Sequence, residues 1–372
     1  MLRIGVEASG LISAKALTGV KRYLACLLEA LAEQASSESI QLHLYFIHPP
    51  HRHEPALANL QPSRWLRWRV APFARGWWRV GMGIAMLRDC LQAFHFPAPH
   101  IARFCPVPAV VTVHDLAALS LPPQHTEKER RYLADALYAC RRAARLIAVS
   151  QNAADEVQRH LGLSATVIHE GVDARLFQPA CEADIAALCA GLGVERYVLC
   201  VGTLQQRKNQ IGLLRAFAQI QDRVPHTLIL AGGEGSGAAA VRAYLESHPH
   251  VRAKWIGYVS EEQLAALYSG AEAFALPSLW EGFGLPVLEA MACGVPVLTS
   301  NLSSLAEIAA DAALLIDPQD EQAIAAGLLR LLTDSTLREQ LRAAGRARAA
   351  QFTWQRAAQQ TLAVYRELVN AR

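Results

Sequence analysis

The chain has 372 residues, of which 52% are apolar and 19% charged, and its formal net charge is +3. That length predicts two domains, and that composition excludes a disordered chain. No apolar run reaches the ~18 residues a spanning helix needs, and the weak net charge argues against a nucleic-acid partner. The chain opens directly as a strand, LRIGVEA, with no basic-then-apolar leader, which points to a cytoplasmic protein. The helical pattern GVKRYLACLLEALAEQA follows, and then the alternating strand IQLHLYFIH. Between Pro55 and Arg88 no acidic residue occurs, while six arginines (Arg64, Arg67, Arg69, Arg75, Arg79, Arg88) are interleaved with Trp65, Trp68, Trp77 and Trp78. Such a stretch over residues 64–79 suits either peripheral contact with an anionic membrane face or a plain strand with exposed arginines.

AVVTVHDL and RLIAVS read as further strands, and ATVIHEGVD as a strand running into a turn. A second series then begins: strand RYVLCVGTL, helix NQIGLLRAFAQI, strand HTLILAGGEG, strand VRAKWIGYV, helix SEEQLAALYSGA, strand AFALPS, helix LPVLEAMACG and strand PVLTS. Two helices and a closing helix, TWQRAAQQTLAVYRELV, complete the chain. Strands alternating with helices build parallel sheets with crossover helices, so the fold class is α/β with two doubly wound, Rossmann-like domains facing across a cleft. The join falls where Gly171, Asp173 and Pro179 break the periodicity. This divides the chain into residues 1–174 and 175–353, with the helix 354–372 packed back on the first domain. The eight cysteines form no C-x-x-C pair and read as reduced, mostly buried thiols.

In EGFGLPVLEA two carboxylates, Glu281 and Glu289, stand on either side of a glycine turn that opens a helix. Gly282 and Gly284 permit close backbone approach, and Pro286 fits the first helical turn, so the segment favours a phosphate at the helix start. A carboxylate accepts hydrogen bonds from vicinal hydroxyls. Two of them flanking a phosphate site suit a nucleotide sugar. In VGTLQQRKN, Arg207 and Lys208 immediately precede another helix and add positive charge where a diphosphate would leave. His114 ends a strand in TVHDL, where it is either a satisfied core histidine or a ligand contact. No D-x-D triad appears to bridge a metal to a diphosphate, so neither metal nor cofactor is expected.

PSLWEGFGLPVLEAMACGVPVLTS resembles the E-x7-E segment of the family 4 retaining glycosyltransferases, which have the GT-B fold. TGVKRYL, VVTVHDL, LIAVSQNAADEV, HEGVD, VGTLQQRKN, GYVSEEQLAALYSGA and FTWQRAAQQTLAVYREL follow in that family's order, so the resemblance covers nearly the whole chain. It implies that residues 1–174 bind the acceptor and 175–353 the donor. Glu281 would meet hydroxyls of the donor sugar, with Gly282, Phe283 and Gly284 around sugar and diphosphate and Leu285 and Pro286 lining the diphosphate turn. Glu289 would hold the ribose, Gly19 would approach the diphosphate and Tyr258 the base. Arg207 and Lys208 would stabilise the leaving group, and His114 would position the sugar. Many members carry Arg where this chain has Thr203, so the charge of that loop rests on Arg207 and Lys208. The TG-x-x-RY opening and VHDL are similar to bacterial mannosyl- and rhamnosyltransferases of surface polysaccharides. This implies GDP-mannose, a glycan or lipid-linked acceptor and front-face substitution, and Glu281→Ala is expected to abolish transfer with the fold intact. Two other readings stand beside this one. Gly233, Gly235 and Ala238 form a G-x-G-x-x-A that could mark a nicotinamide oxidoreductase, although Arg252 and Lys254 occupy the stretch where an acidic residue is required. A non-catalytic subunit of the same fold would be expected to lack one of Glu281, Lys208 and His114.

Overall fold

The computed structural model describes residues 1–12, 19–50, 54–72, 76–120 and 127–371. Two compact units divide it: Met1–Gly171 with Thr353–Arg372, and Val172–Phe352. The break lies at Gly171, where an added Cβ would fall 2.3 Å from the backbone nitrogen of Trp354. Only a glycine lets the outgoing chain pass this close to the returning one.

The first unit carries a seven-stranded sheet ordered β3-β2-β1-β4-β5-β6-β7 among the described residues. Its strands are β1 (Leu2–Glu7), β2 (Ile40–Phe46), β3 (Leu66–Val70), β4 (Ala93–Phe96), β5 (Ala109–Val113), β6 (Arg145–Ala148) and β7 (Thr166–Val167). All adjacent pairs are parallel. The strand expected across ATVIHEGVD shrinks to two residues, and its remaining apolar positions continue as loop toward the second unit. Strand β4, AFHF, gives no alternation because helices cover both faces and every residue in it is buried. Its histidine, His95, is satisfied inside: one ring nitrogen lies 2.6 Å from the Tyr365 hydroxyl and the other 2.8 Å from Thr112 Oγ1. Tyr365 belongs to the closing helix Trp354–Asn370, which packs on helix Gly19–Ala35 of the same unit. Burial, with the charge on His114 adding to it, pushes the His95 pKa down to about 3, so the ring stays neutral.

The second unit repeats the plan with six strands ordered β10-β9-β8-β11-β12-β13. They are β8 (Tyr197–Val201), β9 (Thr227–Ala231), β10 (Ala253–Trp255), β11 (Ala273–Leu276), β12 (Val297–Ser300) and β13 (Leu314–Ile316), again all parallel. In each sheet the strand order reverses at one place, between β1 and β4 and between β8 and β11. Loops leaving the carboxyl ends of those strands diverge there and open a crevice that suits a ligand. The eight cysteines are free; Cys140, Cys200 and Cys293 are buried, whereas Cys90 and Cys181 are exposed, so burial extends to fewer of them than the apolar flanks suggested.

Candidate active site

At the reversal point of the second sheet, the loop after β8 and the loop after β11 bring three charges together. Arg207 and Lys208 lie in a 3-10 turn, Gln206–Lys208, ahead of helix Gln210–Ile220. Gly202, at φ +146, lets the chain leave β8 in a conformation that places the Lys208 stem directly over it; a Cβ there would meet that stem at 3.1 Å. Glu281 is buried. Its Oε2 accepts from Arg207 at 2.6 Å, and its Oε1 accepts from Lys208 Nζ at 2.6 Å and from the Ser278 hydroxyl at 2.9 Å. Arg207 also donates to the Trp280 carbonyl at 2.7 Å, which ties the two loops by backbone as well as by charge. Burial opposes the charge on Glu281, but the Lys208 and Arg207 cations outweigh it and bring its pKa down to about 2. One anion between two cations leaves a net positive site beside the start of a helix, an arrangement that favours an added anion.

The turn after Glu281 is fixed from below. Ser304 Oγ lies 2.8 Å from the carbonyls of both Glu281 and Phe283, and the Glu281 N–H donates to the Ser303 hydroxyl. Gly284 has φ +116 and precedes helix Leu285–Ala292, with Pro286 in its first turn. Gly282, Phe283, Gly284 and Leu285 are all buried around this turn. Glu289, one turn into the helix that opens at Leu285, is also buried and accepts from the Tyr268 hydroxyl at 2.7 Å, which sets the direction of its carboxylate. Both acids are buried among residues of the second unit. Tyr258, beyond the end of β10, is half exposed and follows Gly257 at φ +75.

In the first unit, His114 follows β5. One ring nitrogen lies 2.9 Å from the Pro97 carbonyl and the other 3.2 Å from Glu170 Oε1. Burial disfavours the imidazolium, yet the Glu170 carboxylate and the Pro97 carbonyl overcome it and raise the pKa of His114. A ring with an acceptor at each nitrogen is held as a two-proton donor in a fixed plane. Gly19 begins helix Gly19–Ala35, and among the described residues nothing lies within 4 Å of where its Cβ would stand. Thr18, in the same motif, lies outside the described residues.

Sequence reasoning passed over Glu7, His100 and Glu170. Glu7 ends β1 and is buried; its Oε1 accepts from the Ser9 N–H at 2.8 Å, and its Oε2 is 3.6 Å from His100 Nε2. That nitrogen is itself buried without a hydrogen-bond partner. His100 follows β4 and meets the edge of Trp78, with ring centroids 4.9 Å apart. These groups sit at the reversal point of the first sheet. The available signal was positional: an acid closing the first strand of a doubly wound sheet.

The chain matches the family model described as Glycosyl transferases group 1 over residues 193–348, and that described as Glycosyltransferase Family 4 over residues 17–176. Over 276 residues it is 38% identical to O-antigen chain mannosyltransferase B of Escherichia coli, a match covering 70% of each chain. The chain is a family 4 glycosyltransferase. Its fold is that of sucrose-phosphate synthase from Thermosynechococcus elongatus, with a TM-score of 0.79 at 24% identity over 100% of both chains. HepE from Anabaena, solved in complex with UDP and glucose, aligns with a TM-score of 0.76 at 20% identity over 99% of this chain and 100% of that one. Both domains of this glycosyltransferase are thus the Rossmann-like halves of a GT-B enzyme. Of the glycines that could have marked an oxidoreductase, Gly235 serves packing, since a Cβ there would fall 2.5 Å from the Leu204 carbonyl oxygen. Among the described residues no cluster of three His, Cys, Asp or Glu side chains is placed to hold a metal ion.

Proposed function

We propose that this glycosyltransferase moves a sugar from a nucleoside-diphosphate sugar to a glycan or lipid-linked acceptor in polysaccharide synthesis, with retention at the anomeric carbon and without a metal. The observation that carries the reading is the Arg207–Glu281–Lys208 triad. The bond from the anomeric carbon to the β-phosphate oxygen breaks as the acceptor oxygen bonds to the same face, and the acceptor proton passes to the departing phosphate. Negative charge grows on that phosphate, where the two cations, fixed in advance by Glu281, oppose it. Glu281 takes hydrogen bonds from the donor sugar, Glu289 takes them from the ribose, and the Gly282–Leu285 turn with Pro286 lies along the diphosphate. Tyr258 offers a ring to the base, and Gly19 offers backbone to the diphosphate. His114, both of whose ring nitrogens are taken by Pro97 and Glu170, positions the sugar by its fixed ring and does not attack it. The first unit takes the acceptor.

GDP-mannose is the favoured donor, because the Escherichia coli relative that the chain matches at 38% identity is named a mannosyltransferase. HepE, with UDP and glucose, supplies the rival. Thermal-shift titration in EDTA with GDP-mannose, UDP-glucose, ADP-glucose and dTDP-rhamnose tests both, since a bound donor at a hundred times its Kd stabilises the fold by about 2.7 kcal/mol. GDP-mannose is expected to raise Tm most. A larger shift with another nucleotide sugar replaces the donor, and no shift with any of them removes the site. The anomeric configuration of the product, read by NMR, tests retention.

A further inference from the structure

The arginine- and tryptophan-rich stretch folds differently from its appearance in the sequence. Trp77 is buried and stacks on Tyr45, Trp68 donates to the Leu60 carbonyl at 2.9 Å, and Trp78 packs on His100. Trp68, Trp77 and Trp78 therefore brace the first unit, while Trp65 lies under the Arg64 guanidinium. What does face outward is aliphatic. A π-turn, Trp77–Gly81, runs into helix Met82–Arg88, and Val80, Ile84 and Leu87, spaced i, i+4 and i+7, are 51%, 55% and 54% exposed. Phe104, 41% exposed, lies beside them, its ring against Gly83. The opposite face of the same helix, Met82, Ala85 and Met86, is core.

Exposed large aliphatics on one helical face call for a partner. The charges around the stripe indicate which kind. Arg79 and Arg88 bracket it and are exposed, and no acid occurs from Pro55 to Arg88. The adjoining Asp89 carboxylate is buried, accepting from the Tyr45 hydroxyl and Arg69 Nε, each at 2.7 Å, and lies 3.6 Å from Arg88 Nε, so one carboxylate is shared by two arginines and the patch stays net positive. The face is a convex helix rather than a groove. Two copies meeting through it about a two-fold axis would set these arginines against one another. Apolar side chains at the acyl boundary with arginines at the headgroups satisfy both features. We propose that helix Met82–Arg88 docks this unit on an anionic lipid surface, with Val80, Ile84, Leu87 and Phe104 entering the interface.

The test is co-sedimentation of the full chain with vesicles of equal phosphatidylglycerol and phosphatidylcholine, against pure phosphatidylcholine, with light scattering of the free protein. The wild type is expected to sediment with the anionic vesicles. Ile84→Glu/Leu87→Glu and Arg79→Glu/Arg88→Glu should each lower its partition coefficient about tenfold or more. Their melting temperatures should stay near the wild-type value, since none of these side chains is core. Unchanged sedimentation of both variants overturns the proposal, as does wild-type protein that ignores anionic vesicles. A dimer dissolved by Ile84→Glu/Leu87→Glu, without vesicle binding, assigns the face to a second copy and overturns it equally.

Discussion

The two sheets follow one plan, yet their reversal points are finished differently. In the second unit, one carboxylate and two cations close to 2.6 Å and satisfy one another before any ligand arrives. In the first, Glu7 and His100 stand 3.6 Å apart with a buried ring nitrogen unmatched. Beside them, the His114–Glu170 pair stands at 3.2 Å, with the imidazole held as a donor. A completed triad suits a charge that is the same in every reaction cycle, as that of the diphosphate proposed to leave would be. An incompletely matched pair suits hydroxyls, which offer both donor and acceptor.

The largest effect should come from breaking the completed site. Glu281→Gln keeps the shape but leaves Lys208 buried without its counter-ion, and breaking such a pair costs about 3–5 kcal/mol. Glu281→Ala adds a void to that loss, so the expectation of an intact fold needs the milder variant. Activity should fall on the order of a hundredfold or more through misplacement of the two cations. The pH dependence has a definite sign. The folded pKa of Glu281 is depressed from 4.5 to about 2. The wild type therefore holds roughly 3 kcal/mol from this group above the ordinary carboxylate range, and loses it as pH falls through that range toward 2. Denaturant unfolding at descending pH should show that loss in the wild type and a flatter curve in Glu281→Gln. Parallel curves would mean that the cations do not hold this carboxylate.

A smaller and more selective effect is expected at the first sheet. Glu7→Gln removes a charged acceptor without changing volume, and a hydrogen bond to a charged group contributes about 1.5–3 kcal/mol. The acceptor KM should rise about tenfold or more, while the donor KM and the donor-induced thermal shift stay at wild-type values. If both KM values move together, Glu7 supports the fold and the comparison loses its functional meaning.

The contrast also explains what the sequence could disclose. Arg207 and Lys208 are adjacent, and Glu281 to Glu289 is one turn and one helix, so each half of the second site is a short string whose glycines and proline state its geometry. Glu7 ends β1, and His100, His114 and Glu170 follow β4, β5 and β7. Only the order of the sheet brings them together, and no local pattern records that order. Strand β4 was invisible for the same reason: burial on both faces erased its alternation, and its histidine is satisfied by Tyr365, 270 positions away. The tryptophans were legible as an unusual group but not in their direction, because alternation along Leu66–Val70 does not say which face of an edge strand is covered.

The finest test concerns the pair the sequence half saw. His114 was singled out alone, yet its character comes from Glu170, which supplies the carboxylate that outweighs burial. Glu170→Gln leaves a hydrogen-bond acceptor at the same place and removes the charge, so the titration midpoint of the His114 ring, followed by NMR, should move down. A folded pKa above the unfolded value gives the wild type stability that is fully present below the unfolded pKa and is lost as pH rises through the folded one. The stability deficit of Glu170→Gln should therefore be largest on the acid side of the ordinary imidazole range and shrink as pH rises through the folded pKa. If the deficit instead grows with pH, the carboxylate is not what keeps the ring charged. His114 would then be a neutral single donor to Pro97, and the first reversal point would lose the feature that makes it resemble a hydroxyl-reading site.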